Sequence, residues 1–307
     1  MHPLILTALS LPSWQDEQPF IVTGLALGGV YALSGVGMIV LFRATGVLNL
    51  SFGAVGAFGA LIAWQLINHS GFNIWLAYLV CVLFAGVLTL AYGSVFGRAL
   101  AARDPLVKAT ATLGLTLILL GVMDLLWTSS GGESRAITLP TDNHGFTIGQ
   151  VGVTTTDVIG LAVGIVITGV TAAFLRYTKL GTAMRAMASD REITATLGVP
   201  VRRVEASAWF GCGVVAGIAG MLLADLVALD ATTLTFLVIS SLAAALIARL
   251  SSIAVTFIAA IVIGLVDALV TPTSLTNYRD MTPFVLAAIA LLVINRRRVI
   301  SIGRQEF

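Results

Sequence analysis

The sequence predicts an all-α integral membrane protein, one transmembrane domain over residues 1–307 with about nine transmembrane segments. Three observations predict it. The chain is 58% hydrophobic and 10% charged, whereas a soluble domain carries about 25% charged residues. Apolar runs of near-bilayer length recur from one end to the other. The basic residues between them fall almost entirely on one side of the membrane once the runs are counted as crossings.

The runs lie at about 20–42, 48–67, 74–97, 109–127, 157–175, 206–228, 234–248, 253–270 and 283–295. A helix needs about 20 residues to cross the hydrocarbon layer, and six runs approach or exceed that. The second opens on polar "NLS", and the seventh and ninth are short, so they are tilted less, packed inside the bundle, or broken. Placing residues 176–205 in the cytoplasm leaves only Arg135 and Arg279 outside, with the other Lys and Arg of the 17 in the chain inside. That asymmetry orients the protein with its N-terminus outside and its C-terminus cytoplasmic. Residues 1–19 are then an external N-terminus. No basic residue precedes the short run "LILTALSL", so a cleavable signal peptide is not expected. Residues 128–156 form an external loop, either a short hairpin or lip or a solvated connector.

Glycine is abundant, at 31 residues. The pairs Gly24/Gly28, Gly160/Gly164 and Gly213/Gly217 read as helix contacts, within the chain or with a second subunit. Several function classes fall away. A net charge of +2 gives no nucleic-acid footprint. Cys81 and Cys212 sit in apolar runs as small buried hydrophobes. His2, His69 and His144 are far apart, with neither metal-ligand nor catalytic spacing. The only lysines, Lys108 and Lys179, follow Val107 and Thr178, so the chain lacks the Gly-Lys-Ser/Thr of a phosphate loop. Any ATP chemistry belongs to another polypeptide, and no cofactor or metal is expected here.

A solute pathway has three candidate components. "GVLNLSFGAVGAFG" brings Asn49, Ser51 and Gly53 together where the second span begins. Its glycines either interrupt the helix beside a cavity or permit close packing. Thr112 and Thr116 are an i,i+4 pair on the fourth span, facing the pathway or bonding to their own preceding turn. Asp124, Asp225 and Asp267 each lie three residues before the estimated outer end of a span. There they oppose the helix dipole and either snorkel to the interface or line an outer vestibule. An ion-coupled secondary transporter, the alternative class, commonly keeps an ionisable group at mid-span, and these three are near the ends.

The stretch "RYTKLGTAMRAMASDREITATLGVPVRRVE" (176–205) holds nine charged residues. "SDRE" at 189–192 fits a capping box with Ser189 as N-cap and Glu192 reaching back. The helix "DREITATL" that follows spans about 12 Å, and Gly198 and Pro200 end it. It is either an ordinary inside loop carrying topology charges or a docking element for a cytosolic partner.

Four stretches resemble one family in order: "GLALGGVYALSGVGMIVLF" (24–42), "GVLNLSFGAVGAFGALIAW" (46–64), "ATLGLTLILLG" (111–121) and "LGTAMRAMASDREITATLGVPVRRVEASAWFGCGVVAGIAGML" (180–222). They are similar to the inner-membrane permeases of ABC importers for branched-chain amino acids, and the resemblance covers most of residues 20–270. It implies a multi-pass protein of the bacterial plasma membrane, surrounded by lipid. It implies that residues 176–205 are a coupling loop whose Ser189, Asp190, Arg191, Glu192, Thr196, Leu197 and Gly198 contact a cytosolic ATPase carrying ATP and Mg. A second permease subunit, identical or related, and an external substrate-binding protein complete the expected partners. The cargo would be a branched-chain amino acid or a related small solute such as urea, an amide or a small carboxylate. Leu120, Gly121, Ser51 and Phe52 stand where the family often has more polar residues, which leaves the cargo open.

Overall fold

A computed structural model describes residues 14–101, 103–127, 145–148, 151–227, 229–273 and 281–302. His2, Arg135, His144, Arg279, most of the N-terminal segment and most of the 128–156 loop lie outside the described residues. The helices are α1 (Trp14–Thr45), α2 (Phe52–Ser70), α3 (Ile74–Ala101), α4 (Pro105–Trp127), α5 (Thr155–Tyr177), α6 (Lys179–Ser189), α7 (Arg191–Thr196), α8 (Val201–Leu226), α9 (Ala231–Phe236), α10 (Val238–Ile247), α11 (Ile253–Val270) and α12 (Thr282–Ile302). Between α4 and α5, β1 (Gly145–Ile148) and β2 (Val151–Thr154) pair as an antiparallel hairpin, Gly145 opposite Thr154.

All nine apolar runs fall largely on helix, and among the described residues six helices are long and apolar enough to cross a membrane: α1, α3, α4, α5, α8 and α11. The remaining three fall short for local reasons. The second run spends residues 48–51 on non-helical backbone, and the 19-residue α2 that follows ends on the polar "QLINHS". The seventh starts inside "DATTLTF" (230–236), where Asp230 caps a six-residue helix and the Thr235 hydroxyl bonds back to the Ala231 carbonyl. In the ninth, Thr282–Leu292 is a shorter apolar stretch.

α1 is the hub. It packs against α11, α5, α8 and α10. It is apolar on every side, and a helix without a polar stripe is stable only when enclosed. Its apolar stretch is 83% buried, against 22% for α4 and 17% for α5. Those two are also apolar, so the difference is one of position. They turn Leu117, Ile118, Leu125, Ile165, Val166 and Val170 outward, a face that suits lipid tails.

Glycine sets the spacing around the hub. A Cβ at Gly264 of α11 would stand 2.5 Å from the Gly28 Cα, and one at Gly164 of α5 would collide with the Gly29 backbone. Successive glycines of α1 thus admit two neighbours on two faces, and close backbone approach supplies dispersion contacts where lipid offers no hydrophobic gain. All three expected glycine pairs sit at such contacts within the chain, the third against Ala85 and Val82 of α3.

Candidate functional site

Helix α6 lies along the end of the bundle. It buries Gly181, Met184 and Met187, one stripe at i, i+3 and i+6, against α1 and α5. Thr178 caps it, accepting from the Gly181 amide at 2.9 Å. Because that stripe keeps the chain helical through Ser189, Ser189 is the last residue of α6 and its hydroxyl donates to the Arg185 carbonyl at 3.4 Å. It is therefore not the expected N-cap. Asp190 is the first residue in extended conformation, and its carboxylate accepts from the Ile193 amide at 2.9 Å. The helix so started, α7, runs six residues from Arg191, not eight from Asp190. A capping box does occur in the chain, at Thr154 and Asp157 before α5.

What α7 presents is decided by three restraints. Thr194 is its buried residue, with its hydroxyl on the Asp190 carbonyl. The Arg191 guanidinium meets the Glu205 carboxylate of α8 at 2.6 Å. Gly198 closes the turn at φ +80°, with its amide on the Ala195 carbonyl. Held this way, Ile193 and Leu197 stand 60% and 76% exposed at i and i+4. Exposed Glu192, Arg202 and Arg203 surround them. Two apolar side chains fixed outward on a charged surface are a ready contact for another protein.

The second cluster surrounds the non-helical residues 46–51. Gly46, at φ +67°, ends α1 with its amide on the Phe42 carbonyl. Buried Asn49 then accepts from the Ser51 amide at 3.1 Å and from its hydroxyl at 2.7 Å, while its own amide reaches the Cys212 sulfur at 3.5 Å. Thr112 and Thr116 of α4 satisfy the rest. The Thr112 hydroxyl lies 2.9 Å from the Leu48 carbonyl and accepts from the Leu50 amide at 3.1 Å, and the Thr116 hydroxyl lies 3.2 Å from the Leu50 carbonyl. Both hydroxyls also reach carbonyls of their own helix, at Ala109 and Thr112. The expected bond to the preceding turn is present, and each hydroxyl also reaches the unwound strand. Gly53 follows, pressed against the Thr235 carbonyl of α9. The interruption thus lies ahead of α2, not within it.

The three aspartates occupy three environments. Asp124 is exposed on α4, and Asp225 is half-buried on α8. Asp267 on α11 is 4% exposed and accepts from the Tyr31 hydroxyl of α1 at 3.2 Å.

The family model for the permease component of branched-chain amino acid transport systems matches residues 20–294. The chain belongs to that family. It is 26% identical over 286 residues to the high-affinity branched-chain amino acid transport system permease protein LivH of Escherichia coli, covering 88% of this chain and 91% of that one. A probable branched-chain amino acid transport permease LivH of Methanocaldococcus jannaschii is 26% identical over 271 residues, 83% and 81% of the two chains. BraD of Pseudomonas aeruginosa, a high-affinity branched-chain amino acid transport system permease protein, is 25% identical over 285 residues, 89% and 92%. As an ABC transporter permease with six apolar helices of spanning length among its described residues, the chain is a multi-pass plasma-membrane protein.

Within this permease, four residues escape a reading by motif. Ile193 carries the same signal as Leu197, an apolar residue one turn earlier on a charged loop. Glu205 is 14 positions from Arg191, and no local pattern pairs them. Tyr31 and Cys212 are single residues in apolar helices, and only tertiary packing brings them to Asp267 and Asn49.

Proposed function

We propose that this permease is the membrane-spanning subunit of an importer that moves branched-chain amino acids inward, driven by a separate cytosolic ATPase. The observation that carries the reading is the α7 knob, with Ile193 and Leu197 outward on a helix capped by Asp190 and braced by Arg191 to Glu205. Such an element transmits a push. A groove on the ATPase that grips Leu197 and Ile193 moves α7, and the ion pair passes that displacement to α8. Helix α8 packs on α1, α2 and α3, so a shift there tilts the centre of the bundle. ATP and Mg act on the partner, and their cycle shifts the permease between outward and inward states.

In this reading the nine helical segments cross or enter the membrane with the N-terminus outside. A second permease subunit completes the pathway, and a binding protein delivers cargo at the external face. Asn49, Ser51 and Gly53, with Thr112 and Thr116 fastening the adjoining Leu48 and Leu50 backbone, form the bend beside that pathway. Such a bend is tolerated at membrane depth because its polar groups are paired within protein. The names of the relatives support branched-chain amino acids over urea, amides and small carboxylates.

The test is purification of this chain from its native membrane in mild detergent, with ATP hydrolysis assayed in the purified material. Leu197→Asp and Ile193→Asp are prepared alongside. A stoichiometric ATPase that is lost in the two variants supports the reading. A chain that purifies alone and moves solute down an ion gradient contradicts it.

A further inference from the structure

At the end of the bundle opposite α6 and α7, helices α3, α5 and α8 enclose an apolar groove of about 210 Å³. Trp75, Tyr78 and Val82 of α3 form one wall and Ile159 and Val163 of α5 the other, with Met221 of α8, 6% exposed, at the base. Three helices agree on its depth. At helical rise these residues all lie within about 12 Å of the start of α3, the start of α5 or the end of α8. Half of the hydrocarbon layer is about 15 Å thick, so the groove belongs to one leaflet. Its volume is below the roughly 300–1,000 Å³ of pockets that enclose a whole small ligand, which suits one segment of a larger molecule.

The lining disfavours two other occupants. No polar atom is exposed to the groove, so a polar solute finds no partner there. Membrane helices associate through small residues and polar contacts, and among the described residues the lining holds no Gly, Ala, Ser or Thr. Gly160 and Gly164 of α5 are turned to α1 instead. At the shallow end Trp75, 63% exposed, meets Tyr78 edge-on with ring centroids 6.2 Å apart, and such aromatic residues sit at the headgroup level. Met221 brings an unbranched, adaptable side chain to the base.

We propose that this groove holds one acyl chain of a membrane phospholipid, with Trp75 and Tyr78 beside its headgroup. The proposal rests on membrane insertion and is independent of cargo, direction and ATPase. The chain wedges between α3 and α5 on the surface of α8, the helix that carries Glu205 near its other end.

The test places the native complex in vesicles of phosphatidylethanolamine and phosphatidylglycerol with a trace of phosphatidylcholine bearing a diazirine in its acyl chain. Photolysis and mass spectrometry identify the residues that the chain touches. Leu79 and Leu83, 53% and 47% exposed on α3 at the same depth, report passing lipid. In vesicles, adducts are expected on Met221 as well as on Leu79 and Leu83. Extraction into detergent before photolysis should remove those on Leu79 and Leu83 and keep that on Met221. Val163→Trp fills the groove and should lower the Met221 adduct about tenfold, equivalent to about 1.4 kcal/mol of lost preference, with Leu79 and Leu83 unchanged. Ile159→Trp is a second, independent filling. Absence of a Met221 adduct, its loss in detergent together with the other two, or an unchanged yield in a filled variant that melts like the parent would each overturn the proposal. So would a disulfide-linked pair of permeases from Val163→Cys under oxidation, which would put a second copy in the groove; Cys81 and Cys212 are buried and give little background.

Discussion

Arg191 and Glu205, 14 positions apart, meet at 2.6 Å and join the short surface helix to the first turns of α8. The pair is part-exposed, at 42% and 20%, so it adds little to folding, at most about 1 kcal/mol. Its proposed role is mechanical. Arg191→Glu should leave thermal unfolding in detergent nearly unchanged while transport falls and ATP hydrolysis continues uncoupled. The exchanged pair, Arg191→Glu with Glu205→Arg, should recover transport. A double variant no better than the single one would remove the brace from the account.

The cap of α7 separates two neighbouring residues. Asp190→Ala removes the acceptor for the Ile193 amide and should destabilise the helix locally by about 1 kcal/mol. Ser189→Ala removes a 3.4 Å bond at the end of α6 and should change stability by less than about 0.5 kcal/mol. Amide hydrogen exchange at Ile193 reads both. Faster exchange in the Ser189 variant than in the Asp190 variant would reverse the assignment.

The Asp190 result also shows where the sequence was legible. "SDRE" satisfies the capping-box pattern, and the motif does place a helix start within one residue. It misplaces the cap because the Met184 and Met187 stripe extends the preceding helix, a tertiary effect that a four-residue pattern does not contain. The apolar runs were legible because each is a local property of composition. The polar contacts of Asp267 and Asn49 were not, because Tyr31 and Cys212 become neighbours only through packing. The starts of the second and seventh runs were less legible, because "NLS" and "DATTLTF" give residues to turns and caps that hydropathy alone reads as part of an apolar run.

The Thr112 hydroxyl serves two backbone groups of the unwound segment. Thr112→Val leaves the Leu48 carbonyl and the Leu50 amide without the partner they share, and a buried unsatisfied group costs about 1–3 kcal/mol. The variant should unfold at lower temperature, whereas Thr112→Ser, which keeps the hydroxyl, should stay close to the parent. Equal melting of the two would show that the hydroxyl is not what holds residues 46–51.

Helix spacing around α1 gives a packing prediction. Gly264→Val must fit three extra carbons where even a Cβ would lie 2.5 Å from the Gly28 Cα. Overpacking of this kind costs about 1–3 kcal/mol, and more where the obstacle is backbone. Gly169→Ala, with nothing within 4 Å of its new Cβ, should be neutral or stabilising. Detergent melting curves for the two variants test the contrast, and equal melting would contradict it.

The central claim is that α7 is gripped by a cytosolic ATPase, and the most direct measurement is cross-linking from position 197 in the native membrane. Leu197→Cys, 76% exposed in the parent chain, is treated with a short thiol cross-linker, and the adduct is identified by mass spectrometry. The account predicts an adduct with an ATP-binding subunit, in a yield that changes when ATP is added. It is contradicted if position 197 reacts freely with a bulky thiol reagent while an ATPase remains bound elsewhere on the permease.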